Sequence, residues 1–121
     1  MRRLALLIAA LPLLLAATPA AAKGECDSPL DQNTMNRCAA ENYERADAEL
    51  NRVYKQEIAE LDAHSQQLLK TAQRDWIAFR DDECKYQNVQ NEGGSIYPLE
   101  YNGCLTALTK ARTKQLQQGQ N

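Results

Sequence analysis

Four cysteines, one histidine and one tryptophan are the side chains best able to carry chemistry in this 121-residue sequence. The cysteines stand at 26, 38, 84 and 104, too far apart for a C-x-x-C redox pair, a C-x-x-C-H haem attachment or a zinc site built on close pairs. His64 is a lone imidazole, more often solvent-facing than a general base. Asp and Glu number 16, so carboxylate pairs occur by chance on any helix and their spacing nominates no glycosidase centre. This inventory leads us to expect no enzyme, no metal and no cofactor. What remains for an even number of cysteines in a short exported chain is a pair of disulfides.

The densest stretch is QRDWIAFRDDEC, residues 73–84. Trp76 and Phe79 continue an apolar spacing that includes Leu69 and Ala72, which assigns both rings to a core. Arg80 borders that stripe; its stem can pack while its guanidinium pairs with Asp47, or with Glu44, on the preceding helix. Asp81, Asp82 and Glu83 lie near a helix C-terminus, where the macrodipole disfavours negative charge. They form either a solvated patch or a docking surface for a basic partner.

The elements that must position these residues are legible in the periodicity. Residues 1–22 have two arginines, an apolar run and an A-x-A end, the layout of a secretory signal peptide. Cleavage there leaves 23–121 as one small domain with no membrane anchor, in the periplasm or secreted. After an irregular lead-in carrying Pro29, apolar or small residues recur at three-four spacing from Met35 through Tyr43, Ala46, Leu50 and Tyr54 to Leu61, predicting a long helix capped by Asn33 or Thr34. Residues 62–65 break the pattern and place His64 in a connector, with Ser65 able to cap the next helix. That second helix runs through Leu68, Leu69, Ala72, Trp76, Phe79 and Cys84. Gly93-Gly94 ends it, and Ser95 with Pro98 can start a third, through Leu99, Tyr101, Cys104, Leu105, Leu108 and Leu116. The fold class is therefore all-α: a small three-helix domain with a long antiparallel helical hairpin from the first two helices, stapled by two disulfides. The expected core is Tyr43, Leu50, Tyr54, Trp76, Phe79, Leu105 and Leu108.

Folding helices two and three back about Gly94 sets Cys84 opposite Cys104, which favours that bridge and leaves Cys26 with Cys38. The first hairpin offers the competing Cys38–Cys84 pairing at a poorer register.

Charge narrows the partners. The sequence carries a net charge of −2, and removing the leader takes away Arg2 and Arg3 and makes the remainder more acidic. No basic stripe exists for nucleic acid. An acidic domain is instead steered towards cationic proteins. The loop Asn91-Glu92-Gly93-Gly94-Ser95-Ile96-Tyr97 suits contact with a cleft: glycines for close approach, Glu92 and Ser95 as polar groups, Tyr97 as an anchoring ring.

Cys38 with Tyr43, ADAELNRVY at 46–54, AQRDWIAFRDDEC at 72–84 and GGSIYPLEYNGCLTALTKAR at 93–112 together resemble the lysozyme inhibitor LprI-like family. The resemblance covers Cys26 to Leu116. It implies a small, exported, helical, disulfide-bonded domain, and it makes a cationic lysozyme an expected partner, with another envelope protein as the alternative. The family takes its name from a lipoprotein; here Lys23-Gly24-Glu25 precede Cys26, so the lipid-attachment cysteine is missing.

Overall fold

The computed structural model describes residues 24–119; the expected signal peptide lies outside the described residues. A short 3-10 turn at Glu25–Asp27 precedes three helices, α1 (Gln32–Ala59), α2 (Ala63–Gln87) and α3 (Tyr97–Gln118), with a second 3-10 turn at Val89–Asn91. No strand occurs among the described residues. None of the described helices is long and apolar enough to cross a membrane.

Two aspartates set the helix starts. Asp31, in extended conformation, accepts from the Thr34 N–H at 2.9 Å and from the Thr34 hydroxyl at 2.9 Å, so α1 begins ahead of the expected Asn33 or Thr34 cap. The first three residues of α1, Gln32, Asn33 and Thr34, are polar, and apolar periodicity, which starts at Met35, cannot reveal them. Asp62 does the same for α2 through the Ser65 N–H at 2.8 Å. His64 and Ser65 therefore lie inside the first turn of α2, where a connector was expected. The break in periodicity is the change of helix direction, completed in three residues. Gln66 closes the corner by donating to the carbonyls of Ile58 (2.9 Å) and Leu61 (3.2 Å).

The contacts Ile58 with Gln66 and Asp47 with Arg80 show α1 and α2 running antiparallel. Helix α3 runs parallel to α1: Asn36 near the start of α1 reaches Ser95, and Leu116 near the end of α3 packs on Leu50 and Val53. The closest backbone approach is between α1 and α3, not within the hairpin. Side-chain size explains this. The α1–α3 seam buries Ala39, Ala46, Thr109 and Thr113, whereas α2 meets the others through Trp76 and Arg80, against Tyr43 and Tyr54. Thr109 can be buried because its hydroxyl takes a bond from Arg80 at 3.3 Å, and Thr113 because its own donates to the Thr109 carbonyl at 3.1 Å.

The apolar centre is Leu50, Val53 and Leu116, with Tyr54, Leu69 and Trp76 packed against it. Leu105 is buried, and Tyr43 and Leu108 are partly buried. Phe79 departs from expectation: it is 56% exposed. The inward line of α2 is Leu69, Gln73, Trp76, Arg80 and Cys84, and Phe79 is rotated about 100° from its neighbour Arg80. A position reserved for an aromatic on hydropathy is occupied by a cation, because that cation finds counter-charges and ring faces inside.

Disulfides join Cys26 to Cys38, Cα atoms 5.5 Å apart, and Cys84 to Cys104, 5.6 Å apart. The first ties the lead-in to α1. The second clamps the end of α2 to α3 on the far side of the turn.

Candidate functional site

Arg80 organises the interior. Only 5% of its surface is exposed, yet it meets Asp81 at 2.9 Å, Asp47 at 3.3 Å and the Thr109 hydroxyl at 3.3 Å. Its guanidinium lies 5.2 Å from the Tyr43 ring centroid and 5.3 Å from that of Trp76. Burial works against the charge, but the hydrogen bond to Asp81 and the fields of Tyr43, Asp81 and Asp47 outweigh it, and the net effect holds the Arg80 pKa above its ordinary value. Burial likewise raises the Tyr43 phenol. The cluster keeps three helices in register: it is closed by α3, and its carboxylates are occupied by the guanidinium. Arg112 sits on the other edge of Trp76, 5.9 Å from the ring, bonded to Gln73 at 2.9 Å; burial lowers its pKa.

The α2–α3 turn is the second constellation. Asn88 is buried and anchors it, its side-chain amide donating to the Cys84 carbonyl at 2.8 Å. Beyond the 3-10 turn, the Gly94 N–H donates to the Asn91 carbonyl at 2.9 Å and the Tyr97 N–H to the Gly94 carbonyl at 3.2 Å. Gly93 takes φ 77°, a left-handed conformation that disfavours side chains. A Cβ on Gly94 would stand 3.1 Å from the Asn91 carbonyl oxygen. Across the gap, the Asn36 amide donates to the Ser95 carbonyl at 2.8 Å and ties the turn to α1. Turn, disulfide and crosslink together make this a shaped end of the bundle.

Of the residues expected to meet a partner, Glu92 and Ser95 are exposed on this turn. Tyr97 is only partly exposed: its ring stacks on Tyr101, centroids 5.5 Å apart and planes 9° from parallel. Val89 (54% exposed) and Ile96 (39%) share the turn and were not singled out from the sequence, because isolated apolar residues in a polar stretch give no periodic signal. The acidic run of α2 divides. Asp81 turns to Arg80, whereas the Asp82 side chain is 80% exposed and reaches only Lys85, at 3.6 Å. Both lie about 8 to 9 Å along the axis from the end of α2, on its flank and not in the turn.

Nothing in these arrangements joins a nucleophile to a base. Among the described residues, no group of three His, Cys, Asp or Glu side chains is placed to hold a metal ion. What these arrangements present is an ordered, glycine-shaped turn at one end of the bundle and mixed apolar and acidic surface along α2.

A family model described as "Lysozyme inhibitor LprI" matches residues 26–116, which takes in all three helices, the turn and both disulfides. An uncharacterized protein of Rhizobium meliloti is 37% identical over 126 residues, covering 90% of this chain and 91% of that one. The uncharacterized protein YecT of Escherichia coli is 30% identical over 106 residues, 75% of this chain and 65% of YecT. No solved structure matches the chain.

Proposed function

Because the chain belongs to the LprI lysozyme inhibitor family, we propose that it is exported, loses residues 1–22, and binds a lysozyme-type muramidase in the periplasm or outside the cell without itself catalysing a reaction. Contact runs through its acidic surface and the 91–97 turn. The family match over residues 26–116 is the observation that carries this reading. The geometry supports it in one respect: the turn is held in shape by Gly93, by the Asn36–Ser95 bond and by the nearby Cys84–Cys104 bridge. A loop ordered before association loses less conformational entropy on binding than a floppy one. Glu92 and Ser95 would address polar groups in the enzyme's cleft, and the excess of carboxylates would steer a cationic enzyme towards them.

Mixing the purified, oxidised protein with a cationic lysozyme and following lysis of a cell-wall suspension tests the reading. Lysis should fall with added protein and recover as salt rises; undiminished lysis at micromolar excess would reject it. In that event the partner is another envelope protein, which cross-linking in intact cells would capture.

A further inference from the structure

Two arginines flank Trp76, and only one of them is neutralised. Arg80 meets two carboxylates, whereas Arg112 donates only to neutral amides, from Nε to the Gln73 Oε1 at 2.9 Å and from Nη1 to the Gln115 Oε1 at 3.2 Å. No ion pair among the described residues includes Arg112. Burial lowers its pKa with no charge opposing, the reverse of the outcome at Arg80. A guanidinium has more N–H donors than two amide oxygens can use, so part of the fork is left without a protein acceptor. A partly buried cation without counter-charge is a standing cost in a domain this small.

Arg112 lines an open groove of about 300 Å³ at the end of the bundle where α1 turns into α2 and α3 finishes. Gln115 lines it too, so the bond from Nη1 to Gln115 places the Nη end of the fork at the groove. Leu61, Leu68, Leu69, Ala72 and Leu116 supply an apolar wall, on which Leu68 is left 59% exposed. The volume is at the small end of the range for organic ligands. An apolar wall beside an unneutralised cation suits a ligand with an apolar body and an anionic head. The body leaves water against the leucines, and the head supplies the charge that the fold does not. Glu57 is the one carboxylate among the described lining residues and Arg112 the one cation. Glu57 therefore limits the ligand to a single negative charge, because a second would meet a like charge in a confined space.

We propose that this groove binds a small organic monocarboxylate carrying a short apolar chain, with Arg112 holding the carboxylate and the leucine wall covering the chain. The Nη edge of a guanidinium takes a carboxylate through two parallel hydrogen bonds, and Gln73 and Trp76 hold the fork in place before the ligand arrives. The groove is at the opposite end of the bundle from the 91–97 turn, with Arg112 roughly 22 Å along α3 from Tyr97. Neither inhibition of lysozyme nor its absence bears on it.

The test titrates the full oxidised protein with octanoate, below its micelle concentration, beside octanol, octylammonium and the dicarboxylate suberate. Trp76 is the sole tryptophan and lies 5.9 Å from the Arg112 guanidinium, so its emission reports the arrival of a head group. Octanoate should saturate in the millimolar range expected of so small a ligand. Octanol and octylammonium should bind about ten-fold more weakly or worse. Suberate should also bind more weakly than octanoate, and Glu57→Gln should narrow that gap. Arg112→Gln should weaken octanoate about ten-fold and leave octanol unchanged, which also shows that the apolar wall is intact. Lys110→Gln, an exposed cation of α3 outside the groove, should change octanoate binding less than about two-fold. No saturable octanoate binding, equal binding of octanoate and octanol, indifference to Arg112→Gln, or loss of octanol together with octanoate in that variant would each overturn the proposal.

Discussion

Removing the counter-charges of Arg80 should destabilise this domain more than removing Arg80 itself. In Asp47→Asn/Asp81→Asn the guanidinium stays 5% exposed, with two rings and a threonine hydroxyl around it and no carboxylate in contact. Breaking a fully buried ion pair from one side costs about 3–5 kcal/mol. The Asp47 and Asp81 side chains are 38% and 39% exposed, so water screens part of the interaction and about 2 kcal/mol is the reasonable expectation. For a domain of this size that is a fall in Tm of roughly 8–16 °C. Arg80→Met gives up the same ion pairs but also removes the cost of burying the charge, and its unbranched chain fills much of the space; its loss should stay near 1 kcal/mol. Combining Arg80→Met with both asparagines should cost less than the sum, because the asparagines no longer strand a cation. Thermal melts of the oxidised proteins at neutral pH measure all three. A double asparagine variant that melts within about 2 °C of the parent, or an Arg80→Met variant that melts below the double asparagine variant, would refute the view that an intramolecular charge cluster sets the register of the three helices.

Leu50→Ala, at the 1% exposed centre of the core, should lose about 3 kcal/mol in denaturant unfolding, since α1 and α3 are too closely seated to collapse into the void. Ala46→Leu should be destabilising by about 1–3 kcal/mol despite adding apolar surface, because the seam has no room for it. Under graded reductant, the Cys26–Cys38 bridge, whose Cys26 is exposed, should open before Cys84–Cys104, whose Cys84 is fully buried; mass mapping of alkylated thiols reads the order, and Cys84→Ser/Cys104→Ser should cost roughly 3 kcal/mol. Asp31 and Asp62 have pKa values lowered by bonds from the backbone and hydroxyls of Thr34 and Ser65. Lowered in the folded state, they contribute stability that is present above the ordinary aspartate pKa of about 3.9 and lost as pH falls through their folded values. Protection of the Thr34 and Ser65 amides, taken as the ratio of the free-peptide exchange rate to the observed rate at the same pH, should fall in that acid range, and Asp31→Asn/Asp62→Asn, which keeps a capping acceptor without a titration, should remove the pH dependence.

The three helices were legible because each has an apolar line at helical spacing, and the lines through Leu50, Trp76 and Leu105 do point inward. The helix starts were less so. Asp31 and Asp62 act through a single hydrogen-bonded turn and carry no periodicity, so the expected starts fell late. Around the turn, Glu92 and Ser95 could be singled out by type, but the Asn36–Ser95 bond, between residues 59 apart in sequence, and the stacking of Tyr97 on Tyr101 required the fold.

By itself the sequence determined the number and kind of elements, because local hydrogen bonding and solvent partition act on neighbours within a few turns. The tertiary structure decided what filled the space between them. Phe79 and Arg80 are adjacent, and hydropathy assigns the ring inward and the cation outward. Only when α1 and α3 close together through their small residues does an interior site appear that holds Asp47, Thr109, Tyr43 and Trp76 within reach of one guanidinium. The free energy of that site belongs to groups from three helices at once, so no window of sequence contains it. It turns α2 by the single residue that leaves Phe79 facing water.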